Sequence, residues 1–181
     1  MKITEIKYYD GSFEKITRLG LSALFLDVQR IFIEAKVLLK EERDANGAAE
    51  IRKMVDRNFV LSGDWIKKTT GGVDWIKKFR YNRTLIASLG VEVQVSNRSD
   101  MLIRDFVHIR NAIQQGEIEV GIIVVPSDLL QKYLPDRTPS YKDAIRIVED
   151  EFPEAKNFPI IVMAVEHDGA GVAIKKQKRK S

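Results

Sequence analysis

The sequence predicts one α/β domain, a mixed central β-sheet flanked by helices, and three observations predict it. Segments with strand alternation or short apolar runs take turns along the chain with segments of helical spacing. The run IEVGIIVV at 118–125 is apolar enough for a strand covered on both faces. No linker-like or low-complexity break interrupts 1–168, and 181 residues, 44% of them hydrophobic, suffice for one good core.

Each element has its own signal. Residues 2–9 alternate as a short strand. Across 19–42, Leu21, Leu24, Phe25, Val28, Ile31, Phe32, Ala35 and Leu38 recur at helical spacing and predict one long amphipathic helix. A second helix is predicted over 48–59, ending near the Ser62-Gly63 turn. Residues 73–81 and 85–95 read as neighbouring strands, 100–115 as a helix and 118–125 as an interior strand. Short helices follow at 127–133 and 140–151, then a last strand at 159–166. Residues 169–181 read as a basic, flexible tail.

Composition removes several chemistries. The absence of cysteine excludes disulfides, thiolate zinc sites and cysteine nucleophiles, and fits a reducing, cytoplasmic setting. His108 and His167 are too few for a histidine-built zinc centre. No apolar run approaches the ~18 residues of a membrane span. The net charge of +4 is local: Lys175, Lys176, Lys178, Arg179 and Lys180 crowd the end, and the rest is about neutral. A second basic cluster, Lys67, Lys68, Lys77, Lys78, Arg80 and Arg83, suits a phosphate backbone, although a solvated hairpin and a frayed tail explain each cluster nearly as well.

Candidate chemistry centres on LIASLGVEVQVSNR at 85–98. On a strand, Glu92 and Gln94 share one face while Val91, Val93 and Val95 face the other way. An acid and an amide are costly to bury there unless something such as a hydrated metal ion binds them. An aspartate from the neighbouring strand would complete a pair of oxygen ligands suited to magnesium, and such a cation serves phosphodiester hydrolysis. Two aspartates compete for that role, because DWIKK occurs at both 64–68 and 74–78.

The run GVEVQVSNRSD, the IEVGIIVVP strand after it and the DRTPSYKDAIR segment beyond resemble restriction endonucleases of the BglII and BstYI type, within the PD-(D/E)XK nuclease superfamily. In that group glutamine replaces the usual lysine of the last motif position, as Gln94 does here. The likeness covers roughly 48–167. It implies a restriction-endonuclease-like fold over 1–168 and a magnesium-dependent, site-specific endonuclease acting on double-stranded DNA, with no organic cofactor and no membrane. It matches Asp74 to the metal-binding aspartate and places Trp65 in the upstream turn. Asp74, Glu92 and the Val93 backbone carbonyl would hold the metal, and Gln94 would orient the attacking water. Lys77 or Lys78 would partly supply the charge that glutamine lacks. DNA contacts are expected from Ser96, Asn97 and Arg98, and from Asp136, Arg137, Thr138, Ser140 and Tyr141. Asn and Arg suit bidentate base contacts, while Ser140 also suits a helix cap.

A palindrome cutter implies a homodimer with one half-site per subunit. A structure-directed repair or mobile-element nuclease and a catalytically decayed DNA-binding module are the alternatives. Pro135-Asp136 spells the superfamily's "PD" out of order, and Glu166-His167-Asp168 reads as a strand end. His108 reads as a packing or surface residue of its helix.

Overall fold

Strand pairing dominates the architecture of the computed structural model, which describes residues 1–68, 72–95 and 100–176. Six strands form one sheet: β1 (Lys2–Tyr8), β3 (Ile66–Lys67), β4 (Trp75–Tyr81), β5 (Thr84–Val93), β6 (Val120–Pro126) and β7 (Ile160–Glu166), in the spatial order β1-β7-β6-β5-β4-β3. The central β5, β6 and β7 run parallel, and β1, β4 and β3 join antiparallel at the two sides. The predicted mixed sheet is therefore present, with 118–125 in its interior. Every residue of β6 and β7 is buried, as expected of strands covered on both faces.

Helices cover both faces. On one side α1 (Ser12–Arg18), α2 (Ser22–Glu34) and α3 (Ala48–Ser62) accompany a core that includes Phe32, Phe59, Trp75, Val91, Val93, Ile122, Val124, Ile161 and Met163. On the other side α4 (Asp100–Gln114) and α6 (Tyr141–Arg146) pack Leu102, Phe106, Ile109 and Ala144 against Ile123, Val125, Ile160 and Val162. The short α5 (Asp128–Tyr133) follows β6 and is capped by Ser127, whose side chain accepts from the Leu130 N–H. A π-helical turn at Ile147–Glu151 extends α6. No helix among the described residues is long and apolar enough to cross a membrane.

The single long helix expected over 19–42 is corrected. Gly20 stands at φ +70 between α1 and α2, packed so close to Phe79 that a Cβ there would lie 2.9 Å from the ring. At the other end α2 stops at Glu34. Its last carbonyls are satisfied by the Met1 amine, which donates to Phe32 O (3.0 Å) and Ala35 O (2.6 Å). The apolar residues beyond continue as β2 (Leu38–Leu39), which pairs in parallel with β8 (Gly169–Ala170). Asp168 organises this junction by accepting from Val37 N at 2.7 Å and pairing with the Met1 amine at 3.0 Å.

The segment read as a tail thus begins with a strand and stays docked beyond it. Gly47 N donates to Ile174 O (2.9 Å), and Ile174 N donates to Asn46 Oδ1 (3.1 Å). Lys178, Arg179 and Lys180 lie outside the described residues.

The DWIKK repeat acquires a structural meaning. Ile66 pairs with Ile76 and Lys67 with Trp75, so the two copies lie side by side as β3 and the start of β4. Phe59 stacks on Trp75 at 4.9 Å and meets Trp65 edge-on at 5.1 Å, which fixes both copies on the end of α3.

Candidate active site

The register of β4 against β5 brings the carboxylates together. Trp75 is paired with Val91, so Asp74, one residue before β4, lies opposite Glu92. Asp74 Oδ2 accepts from the Val93 N–H at 2.9 Å, which holds its carboxylate beside that of Glu92. Asp64 instead sits in the turn after Gly63 with φ +60. Alternation along β5 sends Val91 and Val93 into the core beneath α2 and α3, and Glu92 and Gln94 toward α4. Both polar residues are buried, Glu92 with 3% of its surface exposed.

Two further side chains arrive from α4. His108 Nδ1 lies 3.1 Å from Glu92 Oε1, and ligand atoms of Glu92, Asp105 and His108 all fall within 4.8 Å of one another. Asp105 occupies a core position of α4, in series with Leu102, Phe106 and Ile109. Burial first, and then the charges of Asp74 and Asp105 together with the Asp74 hydrogen bond, push the Glu92 carboxyl up to about 11. Burial and Asp74 raise Asp105 to about 7 against the opposing pull of Arg52 and Arg104. Burial and Arg104 lower His108.

Two cations border this group: Arg104 Nε donates to His108 Nε2 at 3.2 Å, and Arg52 reaches the Asp74 side. Arg52 of α3 pairs with Asp56 Oδ1 through Nε (2.9 Å) and with Asp74 Oδ2 through Nη2 (3.0 Å), while Nη1 donates to Val93 O. Burial opposes its charge, but Asp74 and Asp56 outweigh that and raise its pKa. The expected backbone ligand, Val93 O, is thus already engaged, with one lone pair left for another partner. The carboxyl pair itself suits a hard dication. The buried Glu92 carboxyl and the half-buried Asp74 carboxyl repel when both ionise, and a divalent cation between them removes that repulsion.

The lysines read as charge donors are placed differently. Lys77 Nζ is 3.0 Å from Asp27 Oδ2 and 3.1 Å from Gly63 O, over the Trp65 ring, on the sheet face away from Glu92. Lys78 is exposed and paired across the ladder with Ser88. Lys67 and Lys68 are ion-paired with Asp56 and Glu117. Part of the basic cluster is therefore neutralised within the fold.

Of the expected DNA-reading residues, Ser96, Asn97 and Arg98 lie outside the described residues. Asp136 and Arg137 are exposed, and Asp136 is 3.7 Å from Arg43. Thr138 is buried, with a hydroxyl that has no hydrogen-bond partner among the described residues. Ser140 closes a capping box with Asp143, and Tyr141 opens α6. The other decoys are accounted for locally: Thr138 N donates to Pro135 O in a turn, and His167 lies between Glu166 and Glu41 at the end of β7.

A family model described as restriction endonuclease BamHI matches residues 27–177, from α2 to beyond β8. The chain belongs to the BamHI restriction endonuclease family. Members are type II restriction endonucleases, which cleave DNA. No curated protein matches this sequence. The BamHI match extends further toward both ends than the 48–167 likeness legible in the motifs, taking in the second part of α2 and all of β8.

Within this BamHI-family chain, sequence reading overlooked Arg52 and Asp105 and took His108 for a bystander. Asp105 did have a signal, an acid on the apolar stripe of an amphipathic helix. Arg52 had none, because Asp74 and Val93, its partners in the site, are 22 and 41 residues away along the chain.

Proposed function

We propose that this protein is a magnesium-dependent, site-specific endonuclease whose working carboxylates are Asp74 and Glu92. The observation that carries this reading is the β4–β5 register, which sets Asp74 directly across from the buried Glu92 with Asp74 Oδ2 accepting from the Val93 N–H. A buried acid beside a second carboxylate is a standing cost, and Arg52 offsets it only on the Asp74 side. A bound magnesium ion would supply charge against the phosphate and lower the pKa of water.

The chain's own groups do the rest. Asp74 and Glu92 hold the cation, with the Val93 carbonyl beside them. Gln94, on the same face as Glu92, orients the attacking water through its neutral amide. Arg52, 3.0 Å from Asp74, keeps that carboxylate aimed and brings positive charge to the pair. Double-stranded DNA is the substrate. Base contacts come from Ser96, Asn97 and Arg98 after the motif strand, and from Arg137 and its neighbours before α6. Lys78, which is exposed, serves the phosphate backbone. The resemblance of the Gln94 strand to the BglII/BstYI group supports a short palindromic target, whose bases the loop side chains select. Such a target is read by a homodimer, one half-site per subunit.

A mapped plasmid incubated with the protein and magnesium tests this. Discrete fragments that disappear with Glu92→Ala, while DNA binding persists, are expected. Smeared products point to a structure-directed nuclease, and binding without cutting to a decayed module. Retained cutting by Glu92→Ala removes the assignment.

A further inference from the structure

The donor set on the α4 side of Glu92 differs in kind from the one on the Asp74 side. Facing Asp74, Glu92 meets only oxygen. Facing α4, it meets an imidazole nitrogen at 3.1 Å and a second carboxylate within 4.8 Å. Ligands bound at ~2.0–2.2 Å to one first-row ion stand about 3–3.5 Å apart. The Glu92–His108 separation already has this value, and Asp105 needs only a small side-chain movement to join.

Asp105 supplies the independent indication. It is 6% exposed and makes no hydrogen bond or ion pair among the described residues, yet its carboxylate is directed at Glu92 and His108. A buried carboxylate without a partner is expensive. Its neighbours on α4, Leu102, Phe106 and Ile109, are packed into the core, so helix position and not solvent holds it there.

We propose that Glu92, Asp105 and His108 form a second divalent-cation site, selective for the imidazole-accepting transition metals (manganese, cobalt, nickel, zinc) over magnesium. One nitrogen and two carboxylates favour these ions, whereas magnesium takes oxygen ligands. Residues three apart on a helix lie on one face, so Asp105 and His108 present their donors together, and Glu92 closes the set from β5. The inference shares Glu92 with the site proposed above and rests on that reading at this one residue. It assigns Asp105 and His108 a role that hydrolysis at Asp74 does not require.

The test is cobalt binding by the full chain, followed by visible absorption, calorimetry and NMR of the imidazoles. The expected result is cobalt binding at least tenfold weaker in His108→Gln and Asp105→Asn, and nearly unchanged in Asp74→Asn. In the wild-type protein, saturating cobalt should shift the assigned His108 ring strongly and leave the His167 ring in its ordinary range. That measurement decides the matter even if a variant misfolds. An unshifted His108 ring, or wild-type affinity in His108→Gln, overturns the proposal.

Magnesium-dependent cleavage by Asp74→Asn separates the two readings. Lost cleavage with His108-independent cobalt binding sinks only the second site. Retained cleavage with His108-dependent cobalt binding sinks only the first.

Discussion

His108 Nδ1 lies 3.1 Å from Glu92 Oε1, joining α4 to the strand that carries the candidate carboxylates. Because Asp74 lies across from the same glutamate, Glu92 is the common member of two polar groups that approach it from different elements. Its environment favours function over stability.

Replacing Glu92 by Gln should therefore separate the two. The buried carboxyl must hold a proton at neutral pH that the unfolded chain does not bind, a cost that an amide of the same shape avoids. In EDTA at pH 8, Glu92→Gln should raise the stability by at least ~1 kcal/mol, roughly 2–4 °C in melting temperature for a chain of this size. Cleavage should vanish. A variant that melts below the wild type would contradict the account.

Asp27 predicts an acid-sensitive hub. It accepts from Arg30 Nη2 (2.6 Å), Ser62 Oγ (2.7 Å), Trp65 Nε1 (2.9 Å) and Lys77 Nζ (3.0 Å). Burial alone would raise its pKa, but these four donors outweigh it and lower the carboxyl from 3.8 to about 2. A depressed folded value contributes stability that is full above about pH 4 and is lost as pH falls toward 2. The shift corresponds to about 2 kcal/mol. Urea unfolding of the wild type and Asp27→Asn should differ by this order at pH 7 and converge near pH 2.

At Gly121 of β6, α4 lies so near the sheet that a Cβ would overlap the Ile109 side chain. Gly121→Ala should cost about 1–3 kcal/mol by pushing α4 outward. Ile109 adjoins His108, so cobalt affinity should fall as well. Combining Gly121→Ala with Ile109→Ala should cost less than the sum of the two single changes, as expected of residues in contact.

Thr138 and Ser140 should behave in opposite ways. Thr138→Val removes a buried hydroxyl that has no partner and should stabilise the fold by up to ~1 kcal/mol. Ser140→Ala removes a cap and should destabilise it by about 1 kcal/mol. Thermal melts of both variants, with cleavage of a mapped plasmid alongside, would show whether either position also reads DNA.

The alternation of valines around Glu92 and Gln94, the apolar run in β6 and the spacing within α3 and α4 are local patterns. They determined the α/β class, most of the elements and the face of β5 on which Glu92 lies. Helix spacing also ran on past residue 34, because Leu38 and Leu39 continue the apolar period. Only pairing with Gly169 and Ala170, together with the Met1 amine on the last carbonyls of α2, makes them a strand.

The choice between Asp64 and Asp74 was likewise beyond local reading, since both stand in identical pentapeptides. The β4–β5 register made it by placing Asp74 across from Glu92. Arg52, Asp105 and His108 joined the site through tertiary structure alone. Periodicity tells a residue which way to face, but only the packing of α3 and α4 against the sheet decides which distant side chain it will meet.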